Sequence, residues 1–167
     1  MHENDNSGIE KIVNNLEILI KDGLQSVGNH LIRPEEYSKI KENWFKNILA
    51  LQVFLFLSTL VEIYSSNPRG PRISKLFLLR ISSTYIENGI FKNTEDWNEF
   101  IEERLKKYQS VADENRDKDL GELWYVVKEF YYYIEREIDP NHLTILTDLL
   151  MRKKMIKNEI FEIEKKS

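Results

Sequence analysis

The residues closest to a catalytic pattern are Arg136 and His142, which are separated by the five residues Glu137 to Asn141. An arginine can stabilise negative charge on a phosphate, and a histidine can take up or release a proton near neutral pH. This pair could therefore support metal-independent chemistry at a phosphate. A spacing of this kind also arises readily by chance in a chain of this length.

The segment Arg136-Glu137-Ile138-Asp139-Pro140-Asn141-His142 resembles the Arg-(four to six residues)-His signature of HEPN ribonucleases. Members of that family are small all-α domains that are usually dimeric. The resemblance implies that Arg136 and His142 of two protomers would converge on an RNA phosphate at a dimer interface. A HEPN-like ribonuclease is therefore the alternative to the principal interpretation given below.

No metal site and no cofactor are predicted. The nearest approach to a metal-ligand spacing is Asp139-Pro140-Asn141-His142, but Asp139 is placed to accept hydrogen bonds from the first turn of the following helix. The chain has no Cys, so it cannot form disulfides or zinc-thiolate sites. It also lacks a glycine-rich phosphate loop. In the principal interpretation no residue is catalytic.

Two groups of basic residues are candidates for binding or for buried pairing. Arg69, Arg72 and Lys75 cluster near the start of the third predicted helix, where free backbone N–H groups favour anions. They form a candidate anion site, although a solvated loop would have the same composition. Arg80 falls on an apolar side of that helix and is predicted to be a buried charge, with Glu62 or Glu87 as its partner.

Two tyrosines are candidates for a protein interface. Tyr125 and Tyr132 share a face of the fifth predicted helix, opposite the apolar stripe that includes Trp124 and Tyr131. Tyrosine is common in interface cores because it combines a large apolar ring with a polar hydroxyl. The alternative is that both rings are partly exposed to solvent.

Apolar periodicity and helix-capping residues predict an all-α protein, a single-domain bundle of about six helices. The helices are expected near residues 9–27, 34–64, 71–87, 94–112, 120–138 and 140–164, with residue 93 or 94 capping the fourth. Residues 9–164 form one helical domain, residues 1–8 a flexible N-terminus, and residues 165–167 a flexible C-terminus. The segment 67–71 contains two prolines and a glycine, and is expected to be non-helical.

The second helix is apolar on almost every side, and the third has the same tendency, so both are predicted to be central. The uncharged stretch 48–61 would extend only about 21 Å as a helix. A bilayer core is about 30 Å thick, so no membrane span is predicted. The apolar surface of the second and third helices could be covered by the other helices or by a second copy of the chain. An apolar-ligand pocket between the two helices is a further alternative.

The charge balance is mildly acidic, with 28 acidic and 24 basic residues and a formal net charge of −4. Nucleic-acid binding rests largely on neutralising phosphates, so the net charge does not indicate it, although a local patch would suffice. The principal interpretation is a non-enzymatic, cytoplasmic interaction or oligomerisation protein. Its expected partner is a protein, above all a second copy in a homodimer.

Overall fold

The fold consists of six α-helices and one short 3₁₀ helix, in a computed structural model that describes residues 2–166. The α-helices are α1 (His2–Leu31), α2 (Glu42–Tyr64), α3 (Arg69–Glu87), α4 (Thr94–Glu114), α5 (Glu122–Tyr133) and α6 (Asn141–Lys166), and the 3₁₀ helix spans Pro34–Lys39. No strand occurs within these residues, so the all-α prediction is confirmed. Met1 and Ser167, which belong to the expected flexible termini, lie outside the described residues.

Helix α2 contacts each of the other five α-helices. An uninterrupted run from Asn47 to Phe56 is buried, so that side chains on every side of the helix are covered there. By length and composition α2 could cross a membrane, but 72% of its most apolar window is buried inside the protein. This burial is typical of the core helix of a globular protein.

Helix α3 differs from the expectation that it shares the centre with α2. Its buried residues form one stripe, Gly70, Ile73, Phe77, Ile81 and Tyr85, which faces its neighbours α1, α2 and α4. Leu79, on the opposite side of the helix, is 61% exposed. The reason is topological, because neither α5 nor α6 packs along α3, and α6 meets it through the ion pair of Arg69 with Glu164.

The long second helix expected from residue 34 is broken in two. Ile40 and Lys41 are extended, with ψ of 138° at both, between the 3₁₀ helix and α2. The 3₁₀ helix packs against α1 at Gly28, where a Cβ atom would lie 2.7 Å from Cδ2 of Tyr37. The first helix was expected to end near residue 27, but Gly28 permits this close approach and α1 continues to Leu31.

Three other helix boundaries differ from the sequence expectation. Helix α1 begins at His2, so the expected flexible residues 2–8 are helical. Helix α3 begins at Arg69 and includes Pro71, which is tolerated because an N–H in the first turn has no partner within the helix. Helix α5 ends at Tyr133, followed by Glu135 in a left-handed conformation with φ of 55°. Glycine usually takes that position, so no local residue signal marks this helix end.

Candidate functional site

An open groove of about 840 Å³ lies over the C-terminal half of α2. Its floor is α2, one wall is α4, and the other sides are the start of α5 and Lys153 of α6. The apolar side chains lining it are Phe54, Leu55, Leu57, Val61, Leu105, Ala112 and Leu123. We call this feature the α2 groove. Here the other helices leave Leu57 and Val61 of α2 incompletely covered.

The floor of the α2 groove changes from buried to exposed along α2. Leu55 is buried, Leu57 is half-buried, and Val61 is 69% exposed. The hydroxyl of Ser58 donates to the carbonyl of Leu55 at 3.1 Å, so this polar group is already paired. The floor therefore offers apolar surface and few polar atoms, which is typical of sites for apolar ligands.

Charged side chains form the rim of the α2 groove, and most of them are paired. Glu62 accepts from Lys153 and Lys157, each at 2.7 Å, and these two hydrogen bonds hold the pKa of Glu62 below its usual range. Arg116 pairs with Asp113 at 2.5 Å and lies 3.9 Å from Glu122. Lys106 is exposed and forms no ion pair with any described residue. Among the cations on the rim, Lys106 is therefore the one available to pair with an anionic group of a ligand.

Arg136 and His142 both lie near the start of α6, but their side chains are in different surroundings. One guanidinium nitrogen of Arg136 donates to Asp139 at 2.7 Å, and another donates to the carbonyl of Leu31 at 3.0 Å. Asp139 also accepts from the backbone N–H of Asn141 at 2.9 Å, as expected for a residue at a helix start. The Arg136 guanidinium is thus engaged within the chain.

His142 is buried in an aromatic pocket and is only 1% exposed. Its ring centroid lies 4.3 Å from that of Trp124 and 5.3 Å from that of Tyr131. Neither ring nitrogen has a well-formed hydrogen bond. Burial lowers the pKa of His142, opposed by the nearby Trp124 backbone and the charge of Asp139. In this position the imidazole cannot reach a phosphate in solvent.

The candidate anion site at the start of α3 is occupied by side chains of the same chain. Arg69 pairs with Asp5 and lies 2.8 Å from Glu164, and Arg72 lies 2.7 Å from Asp5. Of the three residues, Lys75 is exposed and lacks an ion pair within residues 5–166. These arginines connect the ends of α1, α3 and α6, which leaves little unpaired positive charge for an external anion.

Arg80 has partners that the sequence did not identify. It pairs with Glu10 and Asn14 and lies 3.4 Å from Glu17, all on α1. Its side chain is 28% exposed, so it is a partly buried charge, and Glu62 and Glu87 are not its partners. The expected partners were wrong because α1, which is distant in sequence, packs along α3.

The two candidate interface tyrosines, Tyr125 and Tyr132, differ in how far the rest of the chain buries them. Tyr132 is 73% exposed, whereas Tyr125 is half-buried beneath the ammonium of Lys118, which lies 4.8 Å from its ring centroid. Both border an open depression of about 860 Å³ with many charged side chains around it. The two rings remain available as an interface, but the apolar area that they offer is small.

A buried polar cluster between α1, α2 and α6 was not predicted. Arg152 has a side chain only 6% exposed, and it lies 2.5 Å from Asp22 and 3.7 Å from Asp148. Asp148 also accepts from Ser26. A signal was present, because Arg152 falls on the apolar stripe that Ile145, Leu149 and Ile156 form on α6. Its neighbours Lys153 and Lys154 obscure this signal, because a run of three basic residues is typical of a solvated face.

Among the side chains that the structure describes, those of residues 5–166, no group of three or more His, Asp or Glu could hold a metal ion. Comparison with known proteins finds no family model, no curated protein and no solved structure that matches this chain.

Proposed function

We propose that this chain is a non-enzymatic binding protein and that the α2 groove receives the apolar chain of a long-chain carboxylate. The observation that carries this proposal is the incompletely covered side of α2 at Leu57, Ser58 and Val61, at the floor of a cavity of about 840 Å³. Sites for small ligands commonly enclose about 300–1,000 Å³ and are mainly apolar. Removal of this surface from water would drive the binding.

The charge on the rim supports an anionic end for the ligand. Lys153 and Arg116 already have carboxylate partners, whereas Lys106 has none among the described residues. A carboxylate that lies beside Lys106 would form an exposed ion pair, which contributes at most about 1 kcal/mol. Most of the affinity would therefore come from the apolar chain, and Lys106 would set its direction.

The proposal is tested by the displacement of a dansyl-labelled fatty acid by palmitate, monitored by fluorescence. Val61→Glu places a negative charge in the α2 groove and is expected to weaken binding about tenfold or more. The matched control is Leu79→Glu on α3, since Leu79 is exposed to a similar degree (61% against 69%) and lies outside the groove. Absence of palmitate binding, or equal affinity in both variants, would contradict the proposal.

A second pair of variants tests the role of the rim cation. Lys106→Gln is expected to weaken palmitate binding about three- to fivefold, as for the loss of one exposed ion pair, and to leave the binding of hexadecanol unchanged. Lys107→Gln changes the adjacent lysine, which lies 4.0 Å from Glu129 and does not line the groove. An equal loss for the acid and the alcohol would assign Lys106 to packing alone.

The proposed α2 groove lies in a different place from the apolar-ligand pocket predicted from the sequence. We had expected it between helices two and three, but Phe56 of α2 and Phe77 of α3 stack there, with ring centroids 5.5 Å apart. An amphipathic helix of a partner protein could also lie in such a groove. That alternative predicts no palmitate competition, so the displacement experiment separates the two.

The ribonuclease alternative would require His142 to leave its buried position and Arg136 to release Asp139. The geometry described above does not favour it over the α2 groove. It predicts metal-independent RNA cleavage that His142→Ala abolishes while the fold is retained. Cleavage that survives this substitution, or no cleavage by the unaltered protein, would rule it out.

A further inference from the structure

The outer face of α6 carries the largest group of exposed apolar side chains on one helix among the described residues. They are Leu143, Leu150, Met151, Met155 and Phe161, with Phe161 65% exposed. The inner face of the same helix is buried against α1, α2 and α5. Helix α6 is therefore apolar on two faces, and its own chain covers only one of them.

The arrangement of this outer face is self-complementary. Leu143 and Phe161 lie about five helical turns apart, so they project from the same side of α6. Their midpoint is position 152. If two α6 helices pack antiparallel about that point, Leu143 of each copy meets Phe161 of the other. A contact made twice in this way is what a twofold symmetric dimer requires.

The charges beyond the two ends of α6 are complementary in the same orientation. Glu135 and Glu137 are exposed in the loop just before α6, and Lys165 and Lys166 are exposed at its end. None of these four side chains forms an ion pair with another described residue. An antiparallel pair brings the acidic end of one copy beside the basic end of the other, whereas a parallel pair brings like charges together.

Near the midpoint, Lys154 of one copy would lie over Leu150 of the other. Lys154 is exposed and has no ion-pair partner within the described chain. Its alkyl part can cover the leucine while the ammonium extends into solvent. Lys153 and Lys157, in contrast, point to Glu62 of α2 and would not take part. The outer face of α6 is thus separate from the α2 groove.

We propose that this chain forms a homodimer through the outer face of α6, with the two α6 helices antiparallel. The occupant of the face is a second copy of the same chain. The interface does not depend on the ligand proposed above, and it uses none of the residues that line the α2 groove. The tyrosines Tyr125 and Tyr132 lie on α5 and are not needed for it.

The first test is the molar mass of the protein in solution, measured by light scattering over a range of concentrations. The unaltered chain is expected at about twice its mass of 20.0 kDa. Phe161→Glu removes the contact between Phe161 of each copy and Leu143 of the other, and is expected to give the monomer. Ile18→Glu is the matched control, since Ile18 is 67% exposed on the outer face of α1, and this variant should remain dimeric.

The second test determines the relative orientation of the two α6 helices. Because the chain has no Cys, each variant carries only the thiol that is introduced. Leu143→Cys and Phe161→Cys are prepared separately, and a short bismaleimide is added to each alone and to their mixture. The antiparallel dimer predicts cross-links in the mixture and none in either variant alone, as read by intact mass spectrometry. Cross-linking of Leu143→Cys with itself, or a monomeric unaltered protein, would overturn the proposal.

Discussion

Gly23 of α1 lies directly against the side-chain amide of Gln52 on α2. The Gln52 amide nitrogen is 3.5 Å from the carbonyl oxygen of Gly23, and a Cβ at Gly23 would lie 2.9 Å from Cδ of Gln52 and 3.3 Å from Nε of Arg152. Gln52 is fully buried. The absence of a side chain at Gly23 therefore allows two helices and a buried guanidinium to meet at one point.

Gly23→Ala is expected to destabilise the protein by about 1–2 kcal/mol. Overpacking of a core costs about 1–3 kcal/mol, and the better helix propensity of alanine offsets up to about 1 kcal/mol of that. The free energy of unfolding is measured by urea titration. Gln52→Ala removes the amide that the new methyl group meets, so the double variant should lose less stability than the sum of the two single variants. Additive losses would show that the contact is unimportant.

Arg152→Ala is expected to cost about 3–5 kcal/mol, because it leaves Asp148, whose side chain is 11% exposed, with only Ser26 and the imidazole of His30 beside it. Asp22→Ala should cost less than about 1 kcal/mol, because the Asp22 side chain is 62% exposed and its charge is solvated. Thermal or urea unfolding measures the free energy of unfolding of each variant, and so compares the two partners of this ion pair. Similar losses in both would contradict the burial that the structure assigns to Arg152.

Acid is expected to destabilise the protein through His142. Burial lowers the pKa of this imidazole in the folded state, whereas the unfolded chain takes up a proton near pH 6.5. The unfolded state thus binds more protons as the pH falls below about 6.5, and stability decreases by up to about 1.4 kcal/mol per pH unit until the folded state is also protonated. Lys128 acts in the same direction, and Asp139 opposes it.

The control for this pH effect is His142→Phe, which keeps an aromatic ring beside Trp124 and cannot titrate. Urea unfolding of both proteins between pH 7.5 and 5 gives the slope due to His142 as the difference between the two curves. The variant should have the shallower dependence. Parallel curves would mean that the folded protein protonates His142 as easily as the unfolded chain does.

Asn93→Ala is expected to destabilise α4 by about 1 kcal/mol. The side-chain oxygen of Asn93 accepts from the backbone N–H of Asp96 at 2.8 Å, which satisfies one of the free donors at the start of the helix. Thr94→Ala, at the other capping candidate, should change stability by less than about 0.5 kcal/mol. The two variants are compared by thermal unfolding, and a larger effect at Thr94 would reverse the assignment of the cap.

The sequence determined the elements whose signals are local. Its 3.6-residue apolar periodicity established an all-α protein, and it placed the fourth helix near residues 94–112 with its cap at residue 93 or 94. It also showed that α2 has apolar residues on nearly every side. These features depend on residues within one or two helical turns of each other, so they can be read without knowledge of the fold.

Only the tertiary structure decided what covers each helix, because that depends on contacts between distant segments. Gly28 looked like a helix end and proved to be the place where Tyr37 packs. Arg80 found its partners on α1, and His142, which looked exposed and reactive, became buried beside Trp124. The α2 groove could not be predicted for the same reason: α4 and α5 leave Val61 uncovered, and nothing near Val61 in the sequence specifies where they lie.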